Sequence, residues 1–115
     1  MSSYKATITQ EGELAPVANV KMNDTGMTVT WTRENVGRYA ATFSEDITAA
    51  MVEIVCQSVY CEDPTNYFNT LTAFAPSDGS NRVLVVTSQF NVDSAWEGGS
   101  LKDGLLKNWS IEVRL

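Results

Sequence analysis

From Met27 to Thr32 the chain reads Met-Thr-Val-Thr-Trp-Thr, with a large apolar side chain at every second position and threonine between. An extended strand puts residues i, i+2 and i+4 on one face. This segment can therefore bury Met27, Val29 and Trp31 while Thr28, Thr30 and Thr32 cover the solvent side. The same period recurs. Tyr4, Ala6 and Ile8 alternate with Lys5, Thr7 and Thr9, and Ala18, Val20 and Met22 alternate with Asn19 and Lys21. Tyr39, Ala41 and Phe43 alternate with Arg38 and Thr42, and Trp109, Ile111, Val113 and Leu115 with Ser110, Glu112 and Arg114. Turn chemistry separates the runs at Glu11-Gly12-Glu13, at Asn23-Asp24-Thr25-Gly26 and at Glu34-Asn35-Val36-Gly37. The runs on either side of the third turn form a hairpin.

The middle of the chain admits two readings. Ser44-Glu45-Asp46 could cap and open a helix whose apolar residues are Ile47, Ala50, Met51, Ile54 and Val55. Val52, Ile54 and Cys56 also satisfy the strand period, and the β-branched residues and strand-like surroundings favour a strand after an acidic loop. Phe68 to Ala75 forms a Thr- and aromatic-rich strand, and Pro76 to Asn81 a turn. Arg82 to Phe90 contains the continuous run Val83-Leu84-Val85-Val86, which suits a central strand covered on both faces. Asn91 to Gly104 reads as a long loop. About eight short strands in 115 residues predict an all-β protein, an antiparallel β-sandwich for which a jelly roll is one arrangement. A chain of this length supports one core, so residues 1–115 form one domain.

The chemistry available is narrow. With no histidine, Ser-His-Asp and Cys-His nucleophiles and nearly all catalytic zinc geometries are excluded. Eight Lys and Arg are scattered among 14 Asp and Glu, a net charge of −6, so no basic block is present to neutralise a row of phosphates, and nucleic acid is not expected as a partner. No apolar run approaches the ~18 residues that cross a bilayer, and none forms a signal-peptide core, so synthesis in a cytoplasm and no membrane partner are expected. Cys56 and Cys61 lack the companions for a zinc site; the expectation is a buried thiol at Cys56 and an uncrosslinked Cys61. The acids Glu45-Asp46, Glu62-Asp63, Asp78, Asp93 and Asp103 fit solvated turns better than a glycosidase pair or a calcium loop, and no metal or other cofactor is expected. Of the tryptophans, Trp31 and Trp109 fall in core register. Trp96, beside Gly98-Gly99, is the candidate exposed aromatic, with Tyr60 and Tyr67 as companions in a ligand-binding surface for carbohydrate.

Four segments carry a resemblance: Tyr4-Lys5-Ala6-Thr7-Ile8-Thr9-Gln10, Ala15-Pro16-Val17-Ala18, Gly26 to Arg33 and Val36 to Phe43, followed at the end by Asn108 to Arg114. In these the chain resembles a small β-sandwich domain of uncharacterised virion proteins from phages and prophages. The resemblance covers most of positions 4–43 and 107–115, and departs from the family in the charged bend Glu11-Gly12-Glu13-Leu14 and throughout 44–104. It implies a non-catalytic structural or appendage protein (a fibre, a tail or a capsid decoration) located in the virion after synthesis in the host cytoplasm. It implies as partners other virion proteins and copies of itself, commonly as a homotrimer, and it supplies no catalytic residues. The apolar surplus of Val83–Val86 and Ala49–Val55 points the same way, to self-association. A monomeric module binding carbohydrate or a cell surface, host glycan included, is the alternative function, and a small carboxylate-dependent glycosidase the third.

Overall fold

The computed structural model describes residues 2–47, 52–76 and 81–115, apart from the side chains of residues 95–97. Among them are nine strands and no α-helix: β1 (Ser3–Thr9), β2 (Val17–Asn23), β3 (Val29–Asn35), β4 (Arg38–Phe43), β5 (Glu53–Cys56), β6 (Tyr67–Phe74), β7 (Arg82–Asn91), β8 (Ser100–Leu101) and β9 (Trp109–Arg114). They form two antiparallel sheets packed face to face. Sheet A has the order β2-β1-β9-β5, and sheet B the order β3-β4-β7-β6 with β8 also on β7. The expected β-sandwich is what the chain forms. The hairpins β1–β2, β3–β4 and β6–β7 each stay within one sheet, so the strands do not follow a jelly-roll order.

The alternating runs supply the core as read. Tyr4, Ala6 and Ile8 of β1, and Trp109, Ile111 and Val113 of β9, are buried from one sheet against Trp31, Tyr39, Ala41, Phe43, Val83 and Val85 of the other. Tyr4 meets Phe43 edge to face, and its hydroxyl accepts the indole N–H of Trp31 at 3.0 Å. The β3–β4 hairpin turns at Val36-Gly37, where Asn35 pairs with Arg38. Segment 53–56 is a strand, resolving the two readings of the middle of the chain; residues 48–51, which the helical reading also used, lie outside the described residues.

Three expectations are corrected, and a fourth holds in part. The alternation of Ala18, Val20 and Met22 holds in register only to Val20, and of the three only Ala18 packs against the core, Val20 being 50% exposed. A bulge at Lys21 puts Val20 opposite Ala6 but Met22 opposite Lys5, so Met22 turns from the core side to solvent, and a bulge is a common device on a strand at a sheet edge. Cys56 is exposed, not buried: it pairs with Ile111 in core register but is the last residue of the short edge strand β5. Both cysteines are free thiols, as expected for Cys61. The loop Asn91–Gly104 contains structure, a 3₁₀ segment Val92–Glu97 and strand β8. Finally, β7 is central, yet only Val83 and Val85 face the other sheet. Leu84 and Val86 face outward, where Leu84 is buried at 8% exposure and Val86 is partly exposed, so coverage on both faces holds at Leu84 but is incomplete at Val86.

Candidate functional site

The residues singled out from sequence do not converge. Tyr60 leaves the end of β5 with its ring 55% exposed and Lys107 Nζ 5.5 Å from the ring centroid. It lines a cleft of about 350 Å³ together with Gln57, Ser58, Val59, Leu105, Lys107 and Trp109. The buried Leu105 and Trp109 form part of its wall, and the Trp109 indole N–H is already committed to the Gln57 carbonyl at 2.8 Å. Lys107 also stands 4.0 Å from Glu62, an exposed pair that adds little stability. Tyr67 belongs to a different cleft, about 270 Å³, beside Gln89, Asn91, Ser100 and Lys102. Trp96 lies in the 3₁₀ segment, and its side chain is outside the described set. The candidate ligand surface of Tyr60, Tyr67 and Trp96 is thus divided between Tyr60, facing β9, and Tyr67, facing β8.

A polar cluster that the sequence reading did not assemble ties the two sheets together at one end. Gln10 continues the inward register of Tyr4, Ala6 and Ile8, and is 1% exposed. Its Nε2 donates to the Gly12 and Leu14 carbonyls at 2.8 and 2.9 Å, and its Oε1 accepts the Gly104 N–H at 2.7 Å. The Tyr39 hydroxyl sits 2.9 Å from the same oxygen and gives its one proton to Asp103 Oδ1 at 2.6 Å, the shorter, charge-assisted bond. Asp103 also accepts the Gly37 N–H at 2.9 Å and faces Arg33, whose Nη2 lies 2.8 Å from Oδ2. Burial pushes the Asp103 carboxyl up, but the bonds from Arg33, Tyr39 and Gly37 together outweigh it, and its pKa lies below the ordinary value. Burial, and then the bond to the carboxylate, raise the pKa of Tyr39. Thr87, fully buried on β7, donates its hydroxyl to the Lys102 carbonyl at 2.7 Å.

The close approach of this loop depends on Gly37. A Cβ there would stand 2.5 Å from the Thr87 carbonyl oxygen and 2.7 Å from the Lys102 nitrogen, and φ is +64°. The donors and acceptors of the cluster are engaged with one another, so its chemistry is that of a clasp holding loop 102–106 to both sheets. One signal for it was present in sequence: a glutamine in core register after Ile8. Gly12 and Leu14 are local partners, but Tyr39 and Gly104 lie 29 and 94 positions away, beyond any local pattern.

The third feature is the solvent face of sheet B. Its outward register holds two apolar groups, Phe68 with Phe90 and Phe74 with the buried Leu84 and Ala40, separated by the pairs Thr70–Ser88 and Thr72–Val86. Phe68 and Phe90 stack at 4.9 Å with their planes 4° apart, and Phe68 and Phe74 are each 40% exposed. Among the described residues no three Cys, Asp or Glu side chains gather as metal ligands. No family model, curated protein or solved structure matches this chain.

Proposed function

We propose that this protein is a non-catalytic structural component that works by self-association, a virion appendage or decoration protein of the phage type that the N-terminal segments resemble. The observation that carries the reading is the set of part-exposed apolar side chains on the outward face of sheet B. Phe68 and Phe74, each 40% exposed, and the partly exposed Val86 and Phe90 put apolar side chains on the outside of the sandwich, the kind of surface that another protein covers. Residues carrying the resemblance fit a scaffold: Tyr4, Ala6, Ile8, Gln10, Trp31, Tyr39, Ala41 and Phe43 are all buried in the core or the clasp. They explain why such a segment would fold alike in related proteins, and they present no reactive group. Assembly would then be this protein's activity, with its own copies and other virion proteins as partners. Sedimentation equilibrium tests the reading. A mass well above 12.6 kDa at micromolar concentration is expected, and a monomer at every concentration overturns it.

A second reading, attachment to a carbohydrate surface, is favoured by the cleft at Tyr60. It combines a half-exposed aromatic ring with the polar residues Gln57, Ser58 and Lys107 beside the buried Leu105 and Trp109. A glycan array probed with the protein and with Tyr60→Ala tests this: ligands retained by the parent and lost by the variant support it, and no ligand on the array counts against it.

A further inference from the structure

Natural sheets protect their edge strands with charge, bulges or shortness, because an unpaired row of backbone groups is a template for another strand. Three of the four sheet edges here carry such protection. β2 is bulged at Lys21, β3 carries Arg33 and Glu34, and β5 is four residues long with Glu53 at its start. β6, Tyr67–Phe74, has none: eight residues, with no charge, proline or glycine.

The direction of its free backbone groups follows from its neighbour. Thr87 of β7 donates its N–H to the Gly37 carbonyl and accepts the Lys102 N–H, both on the side away from β6. Leu71 is the residue opposite Thr87, so its own N–H and C=O point to the open edge, and the two-residue period gives Asn69 and Ala73 the same direction. The open stretch is bounded. At one end the Cys61 thiol donates to the Tyr67 carbonyl at 3.4 Å, and at the other Pro76 has no N–H to donate.

Within those bounds the sequence is Phe68-Asn69-Thr70-Leu71-Thr72-Ala73-Phe74, which reads nearly the same in both directions. Antiparallel pairing of a strand with its own copy places residue i opposite j and j opposite i, so a palindrome about Leu71 is self-complementary. We propose that a second copy of this chain occupies the β6 edge, the two strands pairing antiparallel about a twofold axis through Leu71 and joining both B sheets into one.

In this register Phe68 faces Phe74 of the second copy, Thr70 faces Thr72, and Leu71 faces Leu71. Aromatic pairs and threonine pairs are both favourable across strands. The outer apolar row becomes continuous through the contact, from Phe90 to Phe68 and on to Phe74 and Leu84 of the second copy. The Asn69–Ala73, Leu71–Leu71 and Ala73–Asn69 pairs supply about six backbone hydrogen bonds. The inference rests on the self-association reading and names its contact. It also makes that contact isologous, closing at two copies, whereas a threefold ring needs a heterologous one.

The test changes two exposed threonines on the solvent face of β6, where longer side chains meet no packing constraint. Sedimentation equilibrium of the parent from about 1 to 100 μM, the range in which weak dimers dissociate, should give twice 12.6 kDa. Thr70→Lys combined with Thr72→Lys puts lysine opposite lysine twice, and should weaken the dimer at least about tenfold with an unchanged circular dichroism spectrum. Thr70→Glu combined with Thr72→Lys puts opposite charges in the same places and should restore it. If the lysine pair leaves the mass unchanged, or the parent reaches three times the monomer mass, the β6 contact is wrong while self-association stands. If the Glu/Lys variant stays monomeric, the register is wrong. If the parent is monomeric throughout, both readings fall.

Discussion

Two residues at the clasp make quantitative tests. Gly37→Ala forces a Cβ to within 2.5 Å of the Thr87 backbone oxygen at a positive φ. Neither backbone nor turn can yield cheaply, so a loss of at least about 2 kcal/mol is expected in urea denaturation. Asp103 has a carboxyl held below its ordinary pKa by Arg33, Tyr39 and Gly37 against the opposing effect of burial. Such a group adds stability that is complete above the carboxylate pKa of the unfolded chain and is lost as pH falls through the lower, folded value. Asp103→Asn should therefore cost about 1–3 kcal/mol at neutral pH. The difference between parent and variant should close only in strong acid, below the usual carboxylate range. A difference that is constant from pH 7 to about pH 2 would show that the charge of Asp103 contributes nothing.

Individual strands differ in how much of their fate is local. β9 and β3 place their tryptophans in core register, and the structure buries both, at 2% and 7% exposure. Each indole N–H has a partner, the Gln57 carbonyl for Trp109 and the Tyr4 hydroxyl for Trp31. Trp31→Ala and Trp109→Ala should each destabilise by about 3–5 kcal/mol in equilibrium denaturation, the cost of emptying a large aromatic site. A value under about 1 kcal/mol for either would place that ring at the surface. β2 shows where the local argument fails. Its period-2 pattern continues through Met22, but an edge strand with one partner can take an extra residue, and the bulge at Lys21 reverses the face that Met22 presents.

The whole molecule depends on pairing between its two ends. β9 lies between β1 and β5 in sheet A, with Ser3 opposite Arg114 and Ile8 opposite Trp109. Without it, β1 and β5 lose their common neighbour and three core side chains are gone. A chain ending at residue 108 is expected to be unfolded, without the dispersed amide spectrum of the parent in two-dimensional NMR, and a dispersed spectrum would refute this. Because such contacts span nearly the full chain, loop closure precedes most of the stabilising burial, and folding in milliseconds to seconds is expected.

The elements and much of the core were legible because they follow from Cβ direction, a local property: Tyr4, Ile8, Trp31, Tyr39, Phe43, Ile111 and Val113 point inward wherever their strands sit. The strand at 53–56 could be favoured over a helix for the same reason, through its β-branched residues. Which strands become neighbours, and which edges stay open, was settled only when distant segments came together. Arg33 meets Asp103 across 70 positions, and Gln10 meets Gly104 across 94. Cys56 is exposed at the end of the four-residue edge strand β5, a position its alternation does not reveal. Tyr60 and Tyr67, seven positions apart in sequence, open into separate clefts because the chain turns between them to enter the other sheet. Strand periodicity gives each side chain a face, but partners and coverage come from contacts between segments far apart, and a single sequence carries no local trace of them.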